Sequence, residues 1–214
     1  MVSPAPAWYR ARVVRRDDRA LLTAWQGGDQ VAGSELFERH VASVTRFFRN
    51  KVDRDIDDLV QETFLGCLKA AASFRGESSF RTFVLGIARH KLYDHFARKR
   101  RDAVDPGSQS AVDLGTSPHS AAVRGQEHRL LLTALRRIPL EFQTVLELAY
   151  WEGLSGEDMA EVLGVAHNTV RSRLSRARAA LERILTELAE SAEVLQSTVT
   201  DLDNWARSLA QALR

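Results

Sequence analysis

Residues 155–178, SGEDMAEVLGVAHNTVRSRLSRAR, decide the fold. Ser155 and Asp158 stand three apart, the spacing at which a hydroxyl and an acid cap the free N–H groups of a helix start. Met159 and Leu163 recur four apart and supply the inward face of a first short helix. Gly164 then marks a tight turn, because glycine adopts a left-handed backbone without steric penalty. Beyond it Val170, Leu174, Ala177 and Leu181 repeat at helical spacing, while Arg171, Ser172, Ser175 and Arg178 point the other way. Helix, glycine turn and arginine-bearing helix read as a helix-turn-helix, whose second helix can enter the major groove of DNA. Arginine suits that place, since its planar fork grips guanine O6 and N7 together or holds phosphates.

The rest of the chain follows the same period. Strand-like alternation is missing and Ala, Leu, Arg and Glu dominate, so the sequence predicts an all-α fold. A first helix is expected over 18–26, stopped by Gly27-Gly28. A second starts near Asp29 and turns Leu36, Phe37, Val41, Val44, Phe47 and Phe48 inward. A third, 56–72, is expected to bury Ile56, Leu59, Val60, Phe64, Cys67, Leu68 and Ala71. A loop then leads into a long helix over 80–101, with Phe80, Val84 and Ile87 in the core.

Composition changes at about residue 102. The next stretch holds Pro106, Gly107, Gly115 and Pro118 and almost no large apolar groups, too few to offset the entropy of ordering. Helices resume over 126–137, 140–151, 155–163 and 168–188. The reading is therefore two small helical domains, 18–102 and 126–188, joined by a flexible linker, 103–125, and preceded by a flexible arm, 1–17. In 189–214, Leu195, Val199, Leu202, Ala206, Leu209 and Leu213 fall three and four apart, which predicts an amphipathic C-terminal helix.

Apolar residues make up 44% and charged residues 27%, a soluble globular profile. No apolar run approaches the ~18–20 residues of a membrane span, and no signal-peptide core is present, so a cytoplasmic protein without membrane insertion is expected. The formal net charge of +2 conceals segregation: acids gather in 53–62 and bases in 89–101 and 171–183. That pattern suggests a nucleic-acid surface beside a protein-docking one. Cys67 is the single cysteine, so an intramolecular disulfide and a cysteine metal cluster are excluded, and it reads as a buried thiol. The six histidines lack metal-ligand spacing, and neither a phosphate-cradling glycine loop nor a catalytic constellation appears. No enzyme activity and no cofactor are expected.

Three motifs place the chain more narrowly. They are Asp57-Asp58-Leu59-Val60-Gln61-Glu62-Thr63-Phe64; then Phe74-Arg75-Gly76-Glu77-Ser78-Ser79-Phe80-Arg81-Thr82-Phe83 with Ile87-Ala88-Arg89; and Ile138-Pro139 with Thr169-Val170-Arg171-Ser172-Arg173 and Arg176-Ala177-Arg178. In this order, over 21–185, they resemble regions 2 and 4 of the extracytoplasmic-function (ECF) sigma factors of the sigma-70 family. The resemblance implies a subunit that binds core RNA polymerase and directs promoter-specific transcription initiation.

It also implies the site residues. Asp57, Asp58, Gln61, Glu62 and Leu65 would dock on the clamp helices of the largest polymerase subunit, and region 4 on the flap of the second-largest. Independently, burial of the third helix's apolar stripe leaves Asp58, Gln61, Glu62 and Leu65 together on its outer face. Ala70, Phe74, the loop Arg75, Gly76, Glu77, Ser78 and Ser79, and Phe83 and His90 would hold melted −10 DNA. Histidine departs from the asparagine common at position 90, and phenylalanine from the tryptophan common at 83. Arg89, Lys91, Arg98, Lys99, Arg100 and Arg101 would contact phosphates of the same DNA, which positions rather than specifies. His167, Asn168, Thr169, Arg171, Ser172, Ser175, Arg176 and Arg178 would read the −35 duplex. Promoter DNA and an anti-sigma factor complete the implied partners; the C-terminal helix would fold back on the chain or meet one of the protein partners. Two other classes remain at this point: a helix-turn-helix regulator that is not a sigma subunit, and a sigma mimic that titrates an anti-sigma factor. The first has no use for the acidic face and the Phe74 loop, the second none for the arginines.

Overall fold

The helices behind Asp17, Asp29 and Ser155 start where a side chain takes up free N–H groups. In a computed structural model describing residues 16–102 and 126–188, Asp17 accepts from Ala20 N at 2.7 Å and opens α1, Asp18–Gln26. Gly28, at φ 101°, ends the connection that Gly27 begins. Asp29 then accepts from Val31 and Ala32 and opens α2, Gln30–Arg49. Next come α3, Ile56–Ala70, a 3-10 turn, Ala71–Ser73, and α4, Phe80–Asp102. The second block holds α5, Gln126–Arg137, α6, Leu140–Tyr150, α7, Gly156–Leu163, and α8, His167–Leu188. Among the described residues there is no strand, and no helix is long and apolar enough to cross a membrane. Of the expected arm, 1–17, residues 1–15 lie outside the described residues, as do the linker, 103–125, and the C-terminal helix, 189–214.

In the first module α2 packs on α1, α3 and α4 around Leu21, Leu36, Phe47, Phe48, Leu59 and Leu85. In the second, α8 packs on α5, α6 and α7 around Leu131, Leu148, Leu163, Leu181 and Leu185. Two core assignments are corrected. Val41 is 40% exposed, because the buried stripe of α2 runs Leu36, His40, Ser43, Val44, Phe47 and leaves residue 41 off its face. His40 is tolerated inside by a 2.7 Å bond to Asp18 and by packing on Phe80. Leu68 is likewise 49% exposed: the stripe of α3 steps Leu59, Thr63, Cys67, Ala71, and Thr63 satisfies its hydroxyl on the Leu59 carbonyl at 2.7 Å. Helix ends also shift by a residue or two: α3 ends at Ala70, α4 at Asp102 and α6 at Tyr150, while α7 starts at Gly156 and α8 at His167.

Gly33 shows how tight the α1–α2 contact is. A Cβ there would lie 2.6–2.9 Å from ring atoms of Trp25. Gly33→Ala is therefore expected to destabilise the first module by ~1–3 kcal/mol through overpacking, measurable by urea denaturation.

The two modules touch. Helix α7 lies against α4, and Glu152, just after α6, reaches Ser43, Arg46 and Arg81 of the first module.

Candidate protein and nucleic-acid interfaces

The outer face of α3 carries Asp57, Asp58, Gln61 and Leu65 exposed, with Glu62 partly covered. Leu68 joins it, so Leu65 and Leu68 form an apolar pair beside the acids. Sequence reasoning missed Leu68 by assigning it to the core; the strict four-residue step from Leu59 through Thr63 to Cys67 was the signal that would have placed it outside. Glu62 is not a free acid. Its carboxylate lies 3.6 Å from Lys91 Nζ and 3.6 Å from Arg98 Nη2, both on α4. Two residues expected to hold phosphates thus share an acid expected to dock on protein.

The loop between α3 and α4 is tied down at its start and open at its tip. Gln26 of α1 donates to the carbonyls of Ala71 (2.9 Å) and Phe74 (3.0 Å). Phe74 stacks on Phe83 with centroids 4.3 Å apart, and Phe83 leans on Phe80 at 5.9 Å. Gly76 turns the chain at φ 70°, leaving Arg75 and Glu77 in solvent. Ser79 Oγ accepts from Thr82 N at 3.0 Å and starts α4. The result is a shallow groove floored by Phe74 and Phe83 and edged by Arg75 and Ser78, with Ala70 half-buried nearby. An aromatic floor with polar edges is what a splayed-out base needs: a ring to stack on and groups to bond its edge. Phe83 in place of tryptophan preserves that floor.

Along α4, His90 is exposed and Lys99, Arg100 and Arg101 project from the C-terminal end, where cations also suit the helix dipole. Arg89 differs from the reading of it as a simple phosphate contact. It is half-buried, its guanidinium 5.0 Å from the Tyr93 ring centre, and its Nε is buried without a hydrogen-bond partner. Cys67 lies in the core as expected, its thiol pushed up to about 12 by burial.

In the second module Ser155 accepts from Asp158 N at 3.1 Å to start α7, and Gly164 ends it at φ 63°. The expected alternation on α8 holds: Val170, Ala177 and Leu181 are buried, and Arg171, Ser172, Ser175 and Arg178 are exposed. His167, Asn168 and Arg176 are exposed with them, and Thr169 is half-buried. Arg178 is steered by Tyr150, whose ring centre lies 5.4 Å away. Arg173, by contrast, turns back to Glu141 at 3.5 Å and braces α8 on α6. Together these make a helix-turn-helix with an open cationic row on its second helix.

Nothing in the local sequence pattern announced the contact between the modules. The Glu152 carboxylate accepts from Arg46 Nε at 2.8 Å and also from Ser43 and Arg81, and its side chain is 2% exposed. Burial pushes this carboxyl up, but the Ser43 hydroxyl and the Arg46 and Arg81 guanidiniums outweigh it and hold it below the usual value. Lys51 pairs with Glu147, both fully interior. Thr82 donates to Asp158 at 2.9 Å, and Ser78 to Glu161 at 2.5 Å.

Known proteins share these modules. The Sigma-70 region 2 family profile matches residues 36–102, and the Sigma-70, region 4 profile matches 128–181. The ECF RNA polymerase sigma-E factor of Haemophilus influenzae is 31% identical over 183 residues, 80% of this chain and 96% of that protein. The ECF RNA polymerase sigma factor SigM of Mycobacterium tuberculosis H37Rv is 32% identical over 173 residues, 79% and 85% of the two chains. Among solved structures, CnrH in complex with the cytosolic domain of CnrY superimposes with a TM-score of 0.58 at 26% identity, covering 80% of this chain and 99% of that one. The sigma factor RpoE in complex with the anti-sigma factor NepR from Bartonella quintana gives 0.62 over 72% and 96%, and at 22% identity shares the fold alone.

Proposed function

We infer the working of this chain from its family: it belongs to the sigma-70 family as an ECF sigma factor, a promoter-recognition subunit of transcription initiation. Its partners are core RNA polymerase and promoter DNA, and it acts in the cytoplasm without chemistry of its own. The acidic and apolar face of α3, Asp58, Gln61, Glu62, Leu65 and now Leu68, docks on the polymerase clamp helices. Carboxylates suit a basic partner there, and the leucine pair adds area that water leaves on binding. The groove of Phe74 and Phe83 takes a base flipped from the melted −10 strand, and along α4 the exposed His90 and Lys99 to Arg101 meet the same DNA. Helix α8 reads the −35 duplex, and the second module rests on the polymerase flap. An anti-sigma factor is the further partner.

One observation carries this reading. The same chain presents a solvent-facing acidic helix face, an aromatic groove at the loop that follows that helix and a separate cationic recognition helix. A plain helix-turn-helix regulator would need only the last. Run-off transcription with core polymerase tests it, and no promoter-dependent transcript would refute it. For the −35 role, Arg171→Ala is expected to weaken a promoter fragment by ~1–3 kcal/mol in a gel-shift titration. Equal weakening on random duplex would reduce Arg171 to a phosphate contact.

A further inference from the structure

Gly156 opens α7 in a place where no backbone geometry asks for glycine. Unlike Gly153 and Gly164, at φ 60° and 63°, it is not left-handed. Ser155 already caps the helix start by accepting from Asp158 N at 3.1 Å. Glycine is among the weakest helix formers, so its presence there calls for another reason. Space supplies one. A Cβ on Gly156 would lie 2.5 Å from Nε2 and 2.9 Å from Cδ2 of His167. The imidazole edge therefore rests on bare backbone, in a seat that a single methyl group would fill.

His167 is the first residue of α8, the helix assigned to duplex DNA. Residues at the N-terminal end of a recognition helix are the ones that reach base edges. The His167 side chain is exposed and turns about two torsions, so without a neighbour it would sample several orientations. Contact with Gly156 restricts that choice. The helix itself is held by other means: Val170, Ala177 and Leu181 are buried, and Arg173 pairs with Glu141 at 3.5 Å. Filling the seat would thus displace the far end of one flexible side chain and leave α8 where it is. Placement of the ring and placement of the helix are separable here.

We propose that Gly156 is a positioning residue for duplex readout: its bare backbone holds the His167 imidazole ready against one base pair of the −35 element. A ring ordered before binding loses less freedom on contact. It also meets a wrong base in a fixed geometry, which sharpens discrimination as well as affinity. This rests on assigning α8 to the −35 duplex, and Arg171→Ala separates failure of that assignment from failure of the seat.

The full-length chain, assembled with core polymerase, is titrated against a promoter duplex selected from a random library by the parent holoenzyme. Copies with one −35 base pair changed at a time form a panel. His167→Ala is expected to reduce discrimination at one base pair roughly fivefold, the lower end of what a good base contact contributes. Gly156→Ala is expected to reduce discrimination at that same base pair and to spare the others. It is also expected to keep or raise the melting temperature, and to add nothing in the His167→Ala background. In the parent chain, nuclear Overhauser contacts between the Gly156 α-protons and the His167 ring are expected. Their absence overturns the seat, even if Gly156→Ala misfolds. A Gly156→Ala panel identical to the parent's overturns the proposal, as does uniform weakening on every duplex or an effect that persists without His167. If His167→Ala changes nothing while Arg171→Ala still reduces discrimination at its own base pair, the −35 assignment stands and the positioning role falls. If neither variant alters discrimination, the assignment of α8 falls and the proposal with it.

Discussion

Replacing Asp58 and Glu62 together by arginine is expected to abolish assembly with core RNA polymerase while leaving the helices intact. Asp58 projects into solvent, and Glu62 keeps only two ion pairs, each at 3.6 Å and partly exposed. Exposed pairs of this kind are worth ~0–1 kcal/mol, so the fold loses little. The interface loses much more, because two attractive contacts become two like-charge contacts against a basic partner. Such juxtapositions cost several kcal/mol, so a loss of roughly 100-fold or more in Kd is expected. Fluorescence anisotropy with labelled chain and core polymerase measures it, alongside a thermal melt. Binding at the parental level would remove α3 from the docking role. Leu68→Glu provides a milder companion change on the same face.

The second large effect lies at Lys51. Its ammonium is wholly interior, pairs with Glu147, donates to the Phe47 carbonyl at 2.7 Å and sits 4.0 Å from the Phe47 ring centre. Lys51→Met keeps the stem and deletes the charge, which leaves a buried carboxylate with only Gln143 beside it. Breaking a buried pair from one side costs ~3–5 kcal/mol. The loss is read as a lowered midpoint in urea denaturation of the full-length chain. Lys51→Met combined with Glu147→Leu is expected to recover most of it, since no unpaired charge remains.

That pair also fixes a pH dependence. Burial pulls the Lys51 ammonium below the usual lysine value and pushes the Glu147 carboxyl above the usual glutamate value. Without Lys51, nothing cationic opposes the rise at Glu147. A carboxyl raised in the folded chain binds its proton there more tightly than in the unfolded one. Its penalty is thus absent at low pH and grows as pH climbs through the raised value. The deficit of Lys51→Met relative to the parent is expected to shrink in acid, and denaturation at acid and neutral pH reads that difference. A deficit that grows on acidification would contradict the buried placement of Glu147.

Much of this architecture was legible in local pattern. Ser155 ahead of Met159 and Leu163, and Asp29 ahead of the Leu36 stripe, mark helix starts through bonds that span two or three residues. Gly164 was readable because one backbone geometry there requires glycine. The arginine row of α8 followed from period alone. Errors arose where the period left two choices. Val41 and Leu68 looked like core residues by chemistry, but the helices turn His40 and Thr63 inward and meet their polar groups locally. The contact between modules was invisible for another reason. Ser43 and Glu152 are 109 positions apart and Lys51 and Glu147 are 96 apart, and a charged residue in sequence looks the same whether solvated or paired. Burial of Glu152 depends on what a distant helix brings to it, and no window of neighbouring residues carries that.

If Glu62 docks on protein and Lys91 and Arg98 hold phosphates, as proposed, their shared carboxylate ties the two binding events into one thermodynamic cycle. A basic partner that recruits this acid withdraws a counter-charge from Lys91 and Arg98, so both cations then attract nucleic-acid phosphates more strongly. By reciprocity, phosphates that engage Lys91 and Arg98 release Glu62 and improve its affinity for protein by the same factor. On those roles, occupancy of one surface would prime the other across the width of two helices, without any movement of the backbone.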